Sequence, residues 1–142
     1  MSSEEQIKIN RVSVVCPENC LQYKVNIIKC IGFLKEKYPH NIIIQTTGQT
    51  AGGEYDAKEM ALQLKLPYIE FNPGYTNKNE YSYFSDEYFG KSKNITYFIK
   101  CYDDMLYRSD YAIICIDDKI DKIYKNIILK YKKKLKEKVY LI

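Results

Sequence analysis

Three features of the sequence predict an α/β fold built on a doubly wound parallel sheet. Five short apolar runs, at 11–16, 41–47, 66–71, 111–116 and 139–142, read as strands buried on both faces. Four amphipathic helical patterns alternate with them, which is the signature of βαβ crossovers. Crossovers of this kind are right-handed, so helices must cover both faces of the sheet, and the expected five-strand order is 3-2-1-4-5.

Each element has a local reason. Val12, Val14 and Val15 make the first run a buried strand, closed by Pro17. Tyr23, Ile27, Ile28, Ile31 and Leu34 then fall on one face of a helix that Pro39 ends. Ile42, Ile43 and Ile44 carry the second strand, and a glycine-rich turn leads into a helix with Ala57, Met60, Ala61 and Leu64 inward. A short strand at 66–71 ends at Asn72-Pro73-Gly74. Residues 75–92 read as a long aromatic loop, of a length that in compact domains is functional or disordered. A helix follows over 94–108, burying Ile95, Phe98, Ile99, Tyr102, Met105 and Leu106. After the fourth strand come Asp117 and Asp118, then a lysine-rich helix and a closing strand.

The chain has 142 residues, enough for one domain with a sizeable core and too few for two. Residues 1–10 read as a polar N-terminal arm and 11–142 as a single domain. With 46% hydrophobic and 28% charged residues, and no apolar run of membrane-spanning length, a soluble protein with no membrane partner is expected. Met1 to Gln6 lacks the basic start and apolar core of a signal peptide, so an intracellular, cytoplasmic location is expected. Five scattered cysteines suit a reducing compartment and form no disulfide framework, and Cys16-x3-Cys20 is neither a redox pair nor half of a visible zinc site. His40, the only histidine, falls in a turn, so no metal site and no Ser-His-Asp mechanism is expected.

The net charge is +4, with lysines concentrated between 130 and 138. Lys122, Lys125, Lys132, Lys133 and Lys136 lie opposite an apolar stripe of Ile120, Ile123, Ile127 and Tyr131, which describes a solvated helix face; nucleic-acid binding is not expected. The many tyrosines favour self-association as a homodimer.

The segment that carries chemistry is Thr46-Thr47-Gly48-Gln49-Thr50-Ala51-Gly52-Gly53-Glu54-Tyr55-Asp56-Ala57, a strand end, a glycine-rich turn and a helix start. Glycines admit positive φ and close approach by a ligand, while the first amides of the helix point outward with a partial positive charge. Doubly wound sheets bind ligands beyond the carboxyl ends of their strands, where this turn, the 16–19 turn, the start of the aromatic loop and Asp117-Asp118 should converge. A second motif, Phe89-Gly90-Lys91-Ser92-Lys93-Asn94, opens the fourth-strand crossover helix.

The order of these motifs, with Pro67-Tyr68-Ile69-Glu70-Phe71 between them, resembles the SLOG superfamily of Rossmann-like nucleotide-binding proteins. Within it the chain looks most like the YspA-like members, and Gly48-Gln49-Thr50 is also similar to the molybdenum-cofactor carrier proteins. The resemblance covers about residues 11–118. Gly48, Gly53 and Asp56 match the first family motif, and Gly90, Lys93 and Asn94 match the second. Lys93 stands where the family has arginine, which keeps the charge without the bidentate fork. The spacing from Gly53 to Asp56 is one residue longer than usual, and the Pro-Gly-Gly-x-Gly-Thr-x-x-Glu signature of the cytokinin-activating phosphoribohydrolases is absent.

The resemblance implies binding of a nucleotide or nucleotide-derived small molecule, without established catalysis and with no certain cofactor. The ligand-binding residues implied are Gly48, Gln49, Thr50, Gly52, Gly53, Asp56, Gly90, Lys93 and Asn94, with loop aromatics stacking on a base. Asp56 can equally be an acid favoured by the helix dipole and Asn94 an N-cap. One alternative is an N-glycosidic hydrolase or transferase acting on a nucleoside or nucleotide, with Glu54, Asp56 or Glu18 as its carboxylate. The other is an interaction or structural protein that kept the fold and lost the ligand.

Overall fold

The structure is a computed structural model and describes residues 8–17, 20–49, 51–71, 95–116, 120 and 122–142. Its elements run β1 (Asn10–Val15), α1 (Lys24–Lys37), β2 (Ile42–Thr47), α2 (Gly52–Gln63), β3 (Tyr68–Phe71), α3 (Ile95–Tyr107), β4 (Tyr111–Ile114), α4 (Lys122–Leu135), a 3-10 turn (Lys136–Lys138) and β5 (Val139–Leu141). The five strands are parallel and ordered β3-β2-β1-β4-β5, as the alternation of strand and helix predicts. The chain winds outward from β1 in one direction and returns past it to β4, so the switch point lies between β1 and β4.

Alternation along β1 divides the core. Val12 and Val14 face α1 and α2, packing with Ile27, Ile31, Leu34, Ala57 and Ala61. Val15 faces the other way, with Ile114, Tyr102, Met105, Ile127 and Tyr131 beneath α3 and α4. Coverage of both faces explains why the strands read as continuous apolar runs. The exception is polar: Ser13 Oγ accepts from Gln45 Nε2 at 2.8 Å and lies 2.5 Å from Ser109 Oγ, which donates to Met105 O. This buried chain joins β1, β2 and the end of α3, and Arg11 Nε extends it to Gln45 Oε1 at 2.6 Å.

The helices end by different means. At the close of α2, Leu66 N donates to Ala61 O and Lys65 N to Leu62 O, a Schellman arrangement in which Lys65 takes φ 58°, a region that ordinarily favours glycine. At the close of α3, Lys134 Nζ reaches from α4 to Leu106 O at 3.1 Å and Tyr107 O at 3.2 Å. Along α4, Lys122, Lys125, Lys132 and Lys133 are exposed while Ile127 and Tyr131 are buried, the solvated face the charge pattern predicts. Lys136 departs from that helix, entering the 3-10 turn at φ 55°. In α3, Cys101 is buried and Ile99 only half-buried, whereas the apolar stripe places Ile99 inward. The reading of 75–92 as an aromatic loop, and of Ile95 and Phe98 as buried, concerns side chains outside the described residues.

Two glycines differ sharply in their surroundings. A Cβ on Gly53 would lie 2.6 Å from Ile27 Cδ1, 2.7 Å from Cys16 Sγ and 3.0 Å from Cys16 Cβ, so the start of α2 sits against the end of β1 only because no side chain intervenes. A Cβ on Gly32 meets nothing within 4 Å. Gly53→Ala is therefore expected to destabilise the protein by about 1–3 kcal/mol through overpacking. Gly32→Ala, inside α1, should stabilise it by about 0.5–1 kcal/mol. Urea unfolding midpoints of the two variants check this pair; equal shifts would contradict the packing described.

Candidate functional site

The carboxyl ends of β1 and β2 are tied together by one side chain. Glu54 stands three residues after Ala51, the residue that precedes the first turn of α2, a position from which glutamate ordinarily reaches back to the first helical amides. It turns inward instead. Oε1 accepts from Thr47 N at 2.8 Å and Thr47 Oγ1 at 2.6 Å, and Oε2 accepts from Cys16 N at 3.1 Å and Tyr102 Oη at 2.5 Å. The carboxylate is wholly buried, and its partners come from the end of β1, the end of β2 and the middle of α3.

Burial pushes the Glu54 carboxyl up to about 7 from its ordinary 4.5, against hydrogen bonds from Thr47, Tyr102 and Cys16 that favour the ionised form. Burial, and next the charge of Glu54, raise the Tyr102 phenol well above its ordinary value, so it remains a donor. Behind it, Tyr102 Oη lies 3.2 Å from Tyr124 Oη of α4, the two rings meeting edge to face with centroids 5.7 Å apart. Gln49 Nε2 donates to both hydroxyls at 3.1 Å. A polar cluster thus runs from β1 and β2 through the glycine-rich turn to α3 and α4.

The turn itself combines closeness with open donors. Gln49 N is bonded to Thr47 O, Gly52 takes φ 87°, and Ala51 makes no side-chain cap to the helix among the described residues. The twelve-residue α2 thus starts at the carboxyl edge of the sheet with no side-chain cap from Ala51, beside the strand that borders the switch point.

The predicted site residues fall into three groups. Gln49, Gly52 and Gly53 are buried and Gly48 half-buried within this turn, and Glu54 lies directly beneath it. Asp56 is half-buried one turn further along α2, its carboxyl raised by burial and held back by the nearby Lys24. Glu18, Thr50, Gly90, Lys93 and Asn94 lie outside the described residues, as do Asp117 and Asp118. Of the carboxylates named for catalysis, Glu54 is enclosed by protein donors, which leaves Asp56 as the described one with solvent access.

The sequence gives no warning of Tyr102 and Tyr124 as partners of this turn. Helical spacing reads Tyr102 as core, and a buried phenol needing a partner for its hydroxyl is the one clue available. Cys16 contributes through its backbone N–H and Thr47 through its backbone N–H as well as its hydroxyl, and no residue pattern marks a backbone donor. Among the described residues no group of three metal-ligating side chains gathers, and no helix is long and apolar enough to cross a membrane.

A scan against protein-family models finds no match for this chain, and neither does a search of the curated proteins.

The titration of Glu54 has a measurable consequence. Below pH 4.5 its carboxyl is neutral in the folded and unfolded chain alike; between 4.5 and about 7 the unfolded chain releases a proton that the folded one keeps; above that both are ionised. Stability contributed by the group is thus full at low pH and lost as pH rises. The stability of the wild type relative to Glu54→Gln should fall by up to about 1.4 kcal/mol per pH unit across this window, then level off. Urea denaturation of both proteins at several pH values measures it, and a difference independent of pH would contradict it.

Proposed function

We propose that this chain is a SLOG-type nucleotide-binding protein that takes a nucleotide, or a small molecule derived from one, at the carboxyl ends of its parallel strands. One observation carries the reading: the glycine-rich turn delivers an α2 N-terminus without a side-chain cap to the carboxyl edge of β2, next to β1 and the switch point. Phosphate oxygens suit the outward amides of a helix start, and Gly52, at φ 87°, gives the turn the backbone conformation that presents them. Lys93, by its place in the second motif, supplies the cation, and Asn94 and Gly90 its setting. The N-glycosidic alternative draws no support from Glu54, whose carboxylate faces inward.

Titration calorimetry with AMP, ADP-ribose and NAD tests the proposal. Lys93→Ala should weaken binding by about 1–3 kcal/mol, the scale of a charge-assisted hydrogen bond. Replacing Lys132 and Lys133, both exposed on the outer side of α4, should leave affinity unchanged because distant exposed charges are screened beyond about 8–10 Å. Equal losses from both changes would favour a diffuse basic surface, and no binding by any of the three ligands would favour an interaction protein.

We also propose that the chain forms a homodimer. Phe33, 54% exposed, meets Tyr140 of the edge strand β5 edge to face, and Leu141, 49% exposed, lies on the other face of that strand, so both faces of the sheet edge offer apolar surface to a second copy. Sedimentation equilibrium should give twice the chain mass and Phe33→Glu should halve it; a monomeric wild type would set the proposal aside.

A further inference from the structure

Gln49 carries an inconsistency that points to a missing partner. The residue is 4% exposed, and its Oε1 is buried with no hydrogen-bond partner among the described residues, although its Nε2 donates to two phenols. A buried carbonyl left unpaired is unfavourable. Turning the amide over would exchange the two ends and set Oε1 against the phenol hydroxyls. Something must hold it the costly way round.

The direction of hydrogen bonding supplies that constraint. An ionised carboxylate is an acceptor only, so Tyr102 must give its single hydroxyl proton to Glu54 Oε2. Tyr102 Oη can then only accept from Gln49, which forces Nε2 toward it and leaves Oε1 facing away. If Glu54 is protonated, its own O–H can donate to Tyr102 Oη, the phenol is free to donate onward, and the amide can turn.

We propose that Gln49 Oε1 is the acceptor for a hydroxyl or amino group of the bound nucleotide, and that Glu54, acting through Tyr102, is the positioning residue that holds it ready. This rests on the nucleotide-binding reading above. Such a floor accepts a ribose hydroxyl or a base amino group and repels a phosphate oxygen, which is itself an acceptor, so phosphate belongs on the amides of the turn and the sugar or base below it.

The groups that face Glu54 leave it as the titrating member. Just past β1 comes the Cys16 amide, from β2 Thr47, from α3 Tyr102 and Cys101, with Tyr124 of α4 behind Tyr102, from α4 Tyr131, from β3 Tyr68, to which Glu70 is bonded, and beyond β4 Cys115. Burial raises Tyr102, Cys101, Tyr68 and Tyr131, and a hydrogen bond from the Cys115 thiol to Cys16 together with burial raises Cys115, so these stay neutral near neutral pH. Glu70 is ion-paired with Lys58 at 3.3 Å.

Two measurements on the full chain test the proposal. Nuclear magnetic resonance of the Gln49 side-chain amide, without ligand, should show one orientation at pH 8 and a second one at pH 5.5, with Tyr102→Phe showing both at either pH. An orientation unchanged by pH and by Tyr102→Phe would overturn the positioning role. Calorimetry with ADP-ribose, whose phosphates keep a constant charge over this range, should show affinity about tenfold tighter at pH 8 than at pH 5.5, the scale of one hydrogen bond. Gln49→Met should abolish that pH dependence. Binding that ignores Gln49 overturns the acceptor role alone, whereas no binding at either pH overturns the nucleotide reading and takes the acceptor role with it.

Discussion

The buried carboxylate of Glu54 is the interaction on which the carboxyl side of this molecule depends. Strand pairing ends near Val15 and Thr47, and the amides of Cys16 and Thr47 then need acceptors away from water. Glu54 meets both at once and adds a hydroxyl from α3. Removing a carboxylate from water costs several kcal/mol, and the four donors offset part of that cost, since burial still holds the Glu54 carboxyl above its ordinary range. The absence of a side chain on Gly53 lets α2 come near enough for the carboxylate to reach them.

That arrangement also orders the site above it. With Glu54 drawn inward, the first turn of α2 has no side-chain cap from Ala51, while the groups beneath it form a chain of donors and acceptors with a fixed direction from Gln49 through Tyr102 to the acid. Direction of hydrogen bonding can select among ligands, because an acceptor opposed to an acceptor is excluded as firmly as an oversized group.

Much of the fold is legible in the sequence because the forces that form it are local or periodic. Val12, Val14 and Val15, the isoleucines of β2, and Ile113 with Ile114 announce buried strands, and the helices between them oblige a parallel sheet whose order follows from handedness. The glycine-rich turn is legible for the same reason. Direction across the fold is not. Helical spacing shows that Tyr102 points inward but cannot tell that it meets a residue 48 positions earlier. Nor does Glu54, in a first turn where acids are common, announce that it faces the interior. Lys65 and Lys136 hold left-handed conformations with no glycine to mark them, Lys65 as part of the hydrogen-bonded ending of α2.

The register of the central strand bears on how the chain folds. β1 pairs with β2 across one helical crossover, but Val12 meets Tyr111 only after about a hundred intervening residues. The β1-β2-β3 half can assemble from near neighbours, whereas the β1–β4 pairing must wait for a long loop to close. Until it does, Val12, Val14 and Val15 form an open strand edge with apolar side chains on both faces, the kind of surface on which chains stick to one another. The centre of the finished sheet is thus the exposed margin of the unfinished one, and it is covered only when β4 arrives.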